Sequence, residues 1–545
     1  MPQNHVLPLT NPECSSISLI LSAALGQQPI ETLNTVFDGM LPEGWSVSRS
    51  NDARPQFIDL LAPLLADGRA TIAPGDAWTL SRALAALEDV ESAEPAFSVV
   101  DIDDSSITPP EEPTSEQDVS FGINVQQTAD DDEYDWSLQL IGAEGAWEHS
   151  LELNRTAYGE GILVGHPDSG YRKHSELDDK LRLDLAWDFV QQDNNPKNSE
   201  GAHGLGTGSV ILSADNRASK PKSVTGVAPK AELVPLRVTY KQLIHSSVLF
   251  RNGMERLRDA IWHSIDKQCH VISISLGWLK HSHVHAAIQE AVEKNIIVVA
   301  AASNYTWRLV SWPGAYPEVL CIAGCNARRK VWRGSARGPQ VDFTGPAARV
   351  WKAVRKDGEE TVDQGSGTSL ATATTAGIAA LWLAHHGRDA LIERYKAQNG
   401  LPQIPLSEVF RAVLKASCTP PPRDDGLWGA GIVHAEGCLK SPLPSHASFF
   451  TGSYGAPSEK PFIDRVKDTL GADLTEPRLE ALLRAPVSSA AGFEDELLFH
   501  LITDPEARQW MQQDIPGTGF SGDPSSPPAL NNLSVGFQAA LSQSE

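Results

Sequence analysis

An α/β fold with a doubly wound, mostly parallel sheet is predicted for residues 134–440 of this chain, on three observations. Apolar runs of strand length recur at 161–165, 231–238, 271–276, 296–301 and 319–323. Stretches of helical character at 251–267 and 285–294 separate them, and strands buried on both faces that alternate with helices make a parallel sheet. A run of small and apolar residues over 372–384 reads as one further helix, buried on every side.

The rest of the chain divides around this core. Residues 1–30 read as an N-terminal arm. Residues 31–103 carry a mixed pattern, with a helical stretch near 57–65, a helix over 76–87 and a strand over 94–100, and read as a small α+β domain. Residues 104–133 are rich in Asp, Glu, Ser, Thr and Pro, including Asp130-Asp131-Asp132-Glu133; such a segment has little to bury and reads as a flexible acidic linker. Residues 441–545 form a C-terminal extension, with helical patches at 461–483 and 493–511 and a tail from 517 expected to be disordered.

A net charge of −24 argues against nucleic acid and against anionic membrane surfaces as partners. The first basic residue is Arg49, so no basic region precedes the short apolar stretch at 17–25, which Ser18 and Ser22 also interrupt. A secretory signal is not expected on these grounds. The longest purely apolar runs, 296–302 among them, are far too short to span a bilayer. Six cysteines without a CxxC or a regular framework suggest buried free thiols, Cys321 and Cys325 among them. A cytoplasmic location is favoured, with secretion as the alternative.

Four short motifs fall at the ends of the predicted elements. His166-Pro167-Asp168-Ser169-Gly170 follows the first strand, and His203-Gly204-Leu205-Gly206 opens an apolar helix. Ala301-Ala302-Ser303-Asn304 ends a buried strand, and Gly367-Thr368-Ser369 precedes the long buried helix. In an open parallel sheet these positions converge on one crevice. Ser369 sits at a helix start, where free N–H groups and the positive dipole end gather. A serine hydroxyl needs a base to become a nucleophile, and His203 supplies the side-chain type whose unperturbed pKa lies nearest neutrality. Asp168 would orient the imidazole, and the Asn304 amide with the Ser369 N–H would stabilise an oxyanion.

The order Asp, His, Ser within DSG, HG, AASN and GTSxA motifs resembles the subtilisin-like (S8) serine peptidases. Trp136-Ser137-Leu138-Gln139-Leu140-Ile141, Gly226-Val227-Ala228-Pro229, Ser273-Ile274-Ser275-Leu276-Gly277, Tyr316-Pro317-Glu318-Val319 and Gly429-Ala430-Gly431-Ile432-Val433 resemble further family segments, in the family's order. The resemblance implies a three-layer subtilisin-like fold and an endopeptidase with Asp168 as orienter, His203 as base, Ser369 as nucleophile and Asn304 as oxyanion donor. It also implies that an extended peptide substrate pairs with the backbone of Ser275, Leu276 and Gly277. Ala77-Trp78-Thr79-Leu80 and Val90-Glu91-Ser92-Ala93-Glu94-Pro95 are similar to inhibitor-like prodomains of the same family. The resemblance thus implies an autoinhibited precursor with an intramolecular partner and a cleavable linker. A catalytically silent peptide-binding scaffold on the same fold is the alternative.

Two departures stand out: HGLG in place of HGTH, and Gly367-Thr368-Ser369-Leu370-Ala371-Thr372-Ala373 without the proline of GTSMASP. His166 and His174 flank Asp168 as rival bases, with His166 read as structural. His281, His283 and His285 alternate near a helix start and mimic a metal cluster, but a solvated loop is the favoured reading. Asp215 and Asn216 lie in a loop that resembles a family calcium loop only loosely, so no metal and no cofactor is assigned. Trp278, Tyr305 and Trp307 are candidates for shaping the cleft. A lipase-like esterase is disfavoured because Ser369 lacks a GxSxG elbow.

Overall fold

The structure, a computed structural model, describes residues 12–49, 51–63, 72–99, 133–198, 203–214, 223–239, 253–277, 279–304, 310–356, 358–420, 428–451, 476–504, 506–507, 510 and 527–543. The N-terminal part is an antiparallel four-stranded sheet. In chain order it runs β1 (Pro12–Leu21), α1 (Ala23–Gly26), α2 (Ile30–Phe37), β2 (Ser46–Ser48), β3 (Phe57–Leu61), α3 (Pro74–Ala85) and β4 (Val90–Val99). The strand order is β2-β3-β1-β4. Two expectations are corrected here. Residues 12–21 are no arm but an inner strand, paired with β3 and β4. The stretch near 57–65 is not helical over Phe57–Leu61, which is β3.

The physical reason lies in which face of β1 goes where. Ile17 and Leu19 join this domain's own core with Leu33, Phe37, Ile58 and Leu60. Ser16 and Ser18, on the opposite face, are just as buried, but against the next domain. A strand that alternates serine with aliphatic residues reads as half solvated in sequence.

The central domain opens with α4 (Trp136–Ile141), α5 (Ala143–Glu152), β5 (Leu163–Asp168), β6 (Trp187–Asp188), α6 (His203–Leu212) and β7 (Glu232–Arg237). It continues with α7 (Gly253–Asp266), β8 (Val271–Ile274), α8 (Ser282–Glu293), β9 (Ile297–Ala301), β10 (Leu320–Cys325), β11 (Phe343–Pro346) and the hairpin β12 (Val350–Lys356) and β13 (Glu359–Gly365). Helices α9 (Thr368–His386), α10 (Arg388–Tyr395), α11 (Leu406–Ser417), α12 (Ala435–Lys440) and α13 (Ser448–Thr451) complete it. Seven parallel strands lie in the order β11-β10-β9-β8-β5-β7-β6.

Period-two alternation divides the strand side chains between two cores. Ile297 and Val299 of β9 pack with α9 and α11, whereas Val298 and Ala300 pack with α7 and α8. The sheet is therefore the middle of three layers, as expected. The chain leaves β5 towards β7 on one side and β8 on the other, so the topological switch point falls beside β5. Ligands bind outside the carboxyl ends of strands at such a point.

The two domains meet through charge as well as apolar contact. Phe57 lies over Trp262 at 5.0 Å between ring centroids. Arg54 reaches Glu290 at 2.8 Å and Asp266 at 3.1 Å. Asp59 receives Arg258 Nη1 at 2.7 Å and Ser18 Oγ at 2.7 Å. Burial alone would lower the pKa of Arg258, but Asp59 and Asp259 outweigh it and keep the guanidinium firmly charged. His283 donates from Nε2 to Leu19 O at 2.8 Å, and its Nδ1 accepts from Arg258 at 3.0 Å.

The solvated loop expected at 281–285 is thus corrected. His281 and His283 are buried at the domain interface. His285 pairs with Glu318 at 3.0 Å and stacks on Tyr316 at 4.2 Å.

The C-terminal residues form α14 (Glu476–Leu483), a 3₁₀ turn (Val487–Ala490), α15 (Glu494–Thr503) and α16 (Val535–Ser542). Helix α16 lies inside the tail expected to be disordered from 517, a further correction. The acidic linker at 104–132 lies outside the described residues, as do Asp215, Asn216, Trp278, Tyr305 and Trp307. All six cysteines are free. No helix among the described residues is long and apolar enough to cross a membrane.

Candidate active site

Asp168 is the last residue of β5 and has no solvent exposure. His203 is the first residue of α6, and its Nδ1 lies 2.8 Å from both carboxylate oxygens of Asp168. Burial raises the Asp168 pKa, but the His203 charge and hydrogen bond, His166 and the Ser169 N–H outweigh it, so the carboxyl is held down at about 2. Gly204 permits this approach: a Cβ there would lie 2.1 Å from Gly170 O and 3.2 Å from Asp168 Oδ1. The HG pair therefore has a steric cause, since only glycine lets the first turn of α6 seat on the loop after β5.

Ser369 is the second residue of α9 and is 4% exposed. Gly367 precedes the helix without a side-chain cap. Asn304 follows β9, on backbone that Ser303 holds at φ 110° and that Ala336 N–H secures by donating to Ser303 O at 3.0 Å. A non-glycine residue there costs about 1–3 kcal/mol, a strain seen where a neighbouring side chain must be aimed.

The aim is defined. Thr368 N–H and Oγ1–H both donate to Asn304 Oδ1, at 2.9 and 2.8 Å. A backbone N–H can only donate, so the accepting atom is the amide oxygen and Nδ2 is left as the free end. A Cβ on Gly367 would lie 3.6 Å from Asn304 Nδ2 and 3.8 Å from Ser369 N. Both donors thus border the space that this glycine leaves open.

Ser275 is buried after β8, and its Oγ donates to Ser369 O at 3.3 Å. Leu276 is buried too, and Gly277 lies against Ser311 and Trp312, where a Cβ would meet Trp312 O at 2.5 Å. The structure therefore joins Asp168 to His203, and Asn304 and Ser275 to the start of the Ser369 helix.

The rival bases are otherwise engaged. His174 Nε2 bonds Thr361 O at 3.1 Å, and its Nδ1 accepts from Glu176 N–H at 3.2 Å. His166 is buried, which lowers its pKa, and its Nε2 lies 3.0 Å from Thr207 Oγ1. Thr207 was not singled out from the sequence, yet it belongs to the site. Its hydroxyl also lies 3.5 Å from Asp168 Oδ2 and donates to His203 O at 3.1 Å. Its position four residues after His203 on one helix face is the signal that points to it.

The HGLG departure also has an explanation. A Cβ at Gly206 would lie 2.9 Å from Lys352 Cδ, so the lysine stem fills the volume that a side chain at 206 would take. Among the described residues no group of three or more His, Cys, Asp or Glu is placed to hold a metal.

With this geometry in view, the comparisons with known proteins are specific. Residues 159–406 match the model of the subtilase family of peptidases. Thermitase of Thermoactinomyces vulgaris is 29% identical over 268 residues, 49% of this chain and 88% of that protein. Subtilisin E of Bacillus subtilis is 27% identical over 231 residues, which cover 54% of its length. Fervidolysin from Fervidobacterium pennivorans, a keratinolytic enzyme related to subtilisin, has a similar fold. Its TM-score is 0.55 at 18% identity, covering 80% of this chain and 62% of that one.

The fold and these matches define a subtilisin-like serine peptidase. The chain is similar to the subtilase family over residues 159–406, a little under half of its length. Its N-terminal and C-terminal parts lie beyond the matched segment.

Proposed function

We propose that this chain is a serine endopeptidase whose Ser369 attacks the carbonyl carbon of a peptide bond, held inactive at first by its own N-terminal domain. The observation that carries the reading is the fully buried Asp168 carboxylate holding His203 Nδ1 at 2.8 Å from both oxygens. With Nδ1–H committed, Nε2 is the nitrogen left to take the Ser369 proton. The Oγ–C bond forms as that proton moves to Nε2, and the C–N bond then breaks as Nε2 returns it to the leaving amine. Water, deprotonated by the same nitrogen, hydrolyses the acyl-enzyme and frees Ser369. Asn304 Nδ2 and Ser369 N–H face the oxyanion of each tetrahedral intermediate. The substrate is a protein or peptide, extended along Ser275, Leu276 and Gly277.

Asn304→Ala is expected to lower kcat by about 10²–10³-fold with little change in KM, because the donor serves the oxyanion and not the ground state. Steady-state kinetics on a peptide ester check it, and an equal rise in KM alone would reassign Asn304 to substrate binding.

The inhibitory part of the reading rests on the seat of the N-terminal domain over α7 and α8, with Asp59 and Arg258 paired out of solvent. A fluorophosphonate probe tests the whole. Mass spectrometry is expected to find the adduct on Ser369, forming faster once the linker at 104–133 is cut and the N-terminal domain removed. Failure to label in either state would leave a silent peptide-binding scaffold.

A further inference from the structure

The C-terminal residues 476–543 have a small core of their own, with Leu479, Leu497, Leu501, Leu533 and Phe537 buried in it. Phe499 of α15 is not part of it. Its ring is 3% exposed, belongs to the core of the N-terminal domain, and stacks on Phe97 at 4.0 Å between centroids. Trp78 meets the same ring edge-on at 6.3 Å.

Around this anchor the two segments exchange polar contacts. Glu496 is completely buried and receives Arg82 Nη2 at 2.9 Å, with Ser534 N–H and Oγ–H donating at 2.6 and 2.7 Å. Arg82 also donates to Gly492 O at 2.7 Å and lies over the Phe493 ring at 4.2 Å. Val535 N–H donates to Thr79 Oγ1 at 3.3 Å. At Gly75 the approach is so close that a Cβ would lie 2.6 Å from Asn532 O.

The same helix reaches the central domain, where Asp495 pairs with Lys280 at 3.2 Å just before α8. Leu498 and Phe499 share one small cavity with Trp78, Met254, Leu279 and Trp312, so all three parts of the chain meet there.

We infer that the C-terminal segment is a clamp that keeps the N-terminal domain on the peptidase domain after the linker at 104–133 has been cut. The N-terminal domain is then held at two places, on α7 and α8 and on α15. The second place is covalently continuous with the peptidase domain. Leaving requires both contacts to open together, and linking two contacts in this way strengthens retention by about 10²–10⁴-fold over either one. Cleavage of the linker alone therefore does not free the N-terminal domain; a second event, at the clamp, does. The inhibitory consequence rests on the function proposed above, whereas the retention does not.

The test uses the full chain in a Ser369→Ala background, with a site for a sequence-specific protease inserted in the linker and a fluorophore on the N-terminal domain. After the cut, the labelled fragment is expected to co-elute with the remainder in size-exclusion chromatography. Arg82→Ala is expected to raise its release rate at least about 100-fold. Arg82 makes its ion pair and hydrogen bonds outside its own domain and meets that domain's core at the Trp78 ring, 5.8 Å away, so circular dichroism of the uncut variant chain checks that it keeps the fold. Cutting a second inserted site between 452 and 475 is expected to speed release in the same way without altering any contact residue. Equal release rates from the intact clamp, the Arg82→Ala chain and the doubly cut chain would overturn the clamp. Peptide hydrolysis by the matching chains with Ser369 retained reads inhibition separately. Fast release without a gain in activity upholds the clamp and rejects the inhibitory reading.

Discussion

Ser369→Ala is expected to lower kcat/KM for peptide hydrolysis by about 10⁶-fold, the scale set by removing the nucleophile in subtilisin. The loss is this large because the alternative nucleophile, water, would have to be positioned where the hydroxyl now sits. The remaining groups would still bind substrate and face the oxyanion, so a residual rate of about 10³-fold over water is expected. KM should hold, since in the proposed mechanism the extended substrate pairs with the backbone after β8 and not with the serine hydroxyl. The same change removes any self-cleavage in the linker, which electrophoresis of the freshly folded chain reads directly. Turnover near that of the unaltered chain would remove Ser369 from the mechanism.

Asp168→Asn is expected to cost about 10⁴-fold in kcat with the fold intact. An amide at 168 presents N–H groups to His203 Nδ1, so the imidazole turns to the tautomer that carries its proton on Nε2 and can no longer take one from Ser369. Stability should change with pH in a defined direction. The Asp168 pKa in the folded chain, about 2, lies below its unfolded value, so its contribution to stability is complete above about pH 4 and is lost as pH falls towards 2. The asparagine variant lacks that contribution, and its acid unfolding should be correspondingly flatter across this window. Urea titrations between pH 2 and pH 6 check it, and curves that stay parallel would place the depressed pKa elsewhere.

Much of the catalytic half was legible because its signals are local. A glycine that must admit a neighbouring carbonyl, as at Gly204, leaves its mark in two or three adjacent letters. Strands β8, β9 and β10 are buried on both faces and so read as unbroken apolar runs. Thr207 was less legible: its spacing from His203 is only a faint local signal inside an apolar helix start, and its role shows when His166, from strand β5, is brought to 3.0 Å. Lys352 escaped notice, since nothing near it in sequence tells that it fills the space beside Gly206.

The halves outside the matched segment were far less legible, and the cause is the same at each miss. Strand β1 puts Ser16 and Ser18 on one face, a pattern that suits solvent, yet Glu255 and Asp59 bury them by accepting their hydroxyls. Strand β3 contains Asp59 in an apolar run of five residues, and its partner Arg258 is 199 residues away. Arg82 and Glu496 are separated by 414 residues. A buried charge is tolerable only with its partner in place, and no local pattern announces a partner at such a distance.

By itself, then, the amino-acid sequence determined the core of the α/β domain: the inner strands of its parallel sheet, the main helices between them, and the short motifs at their ends. Short-range sterics and hydrophobic periodicity carry that information within a few residues. Only the tertiary structure decided how the flanking parts are used. Seating the N-terminal sheet on α7 and α8, and α15 on that sheet, depends on desolvating charges that find their partners across the whole chain.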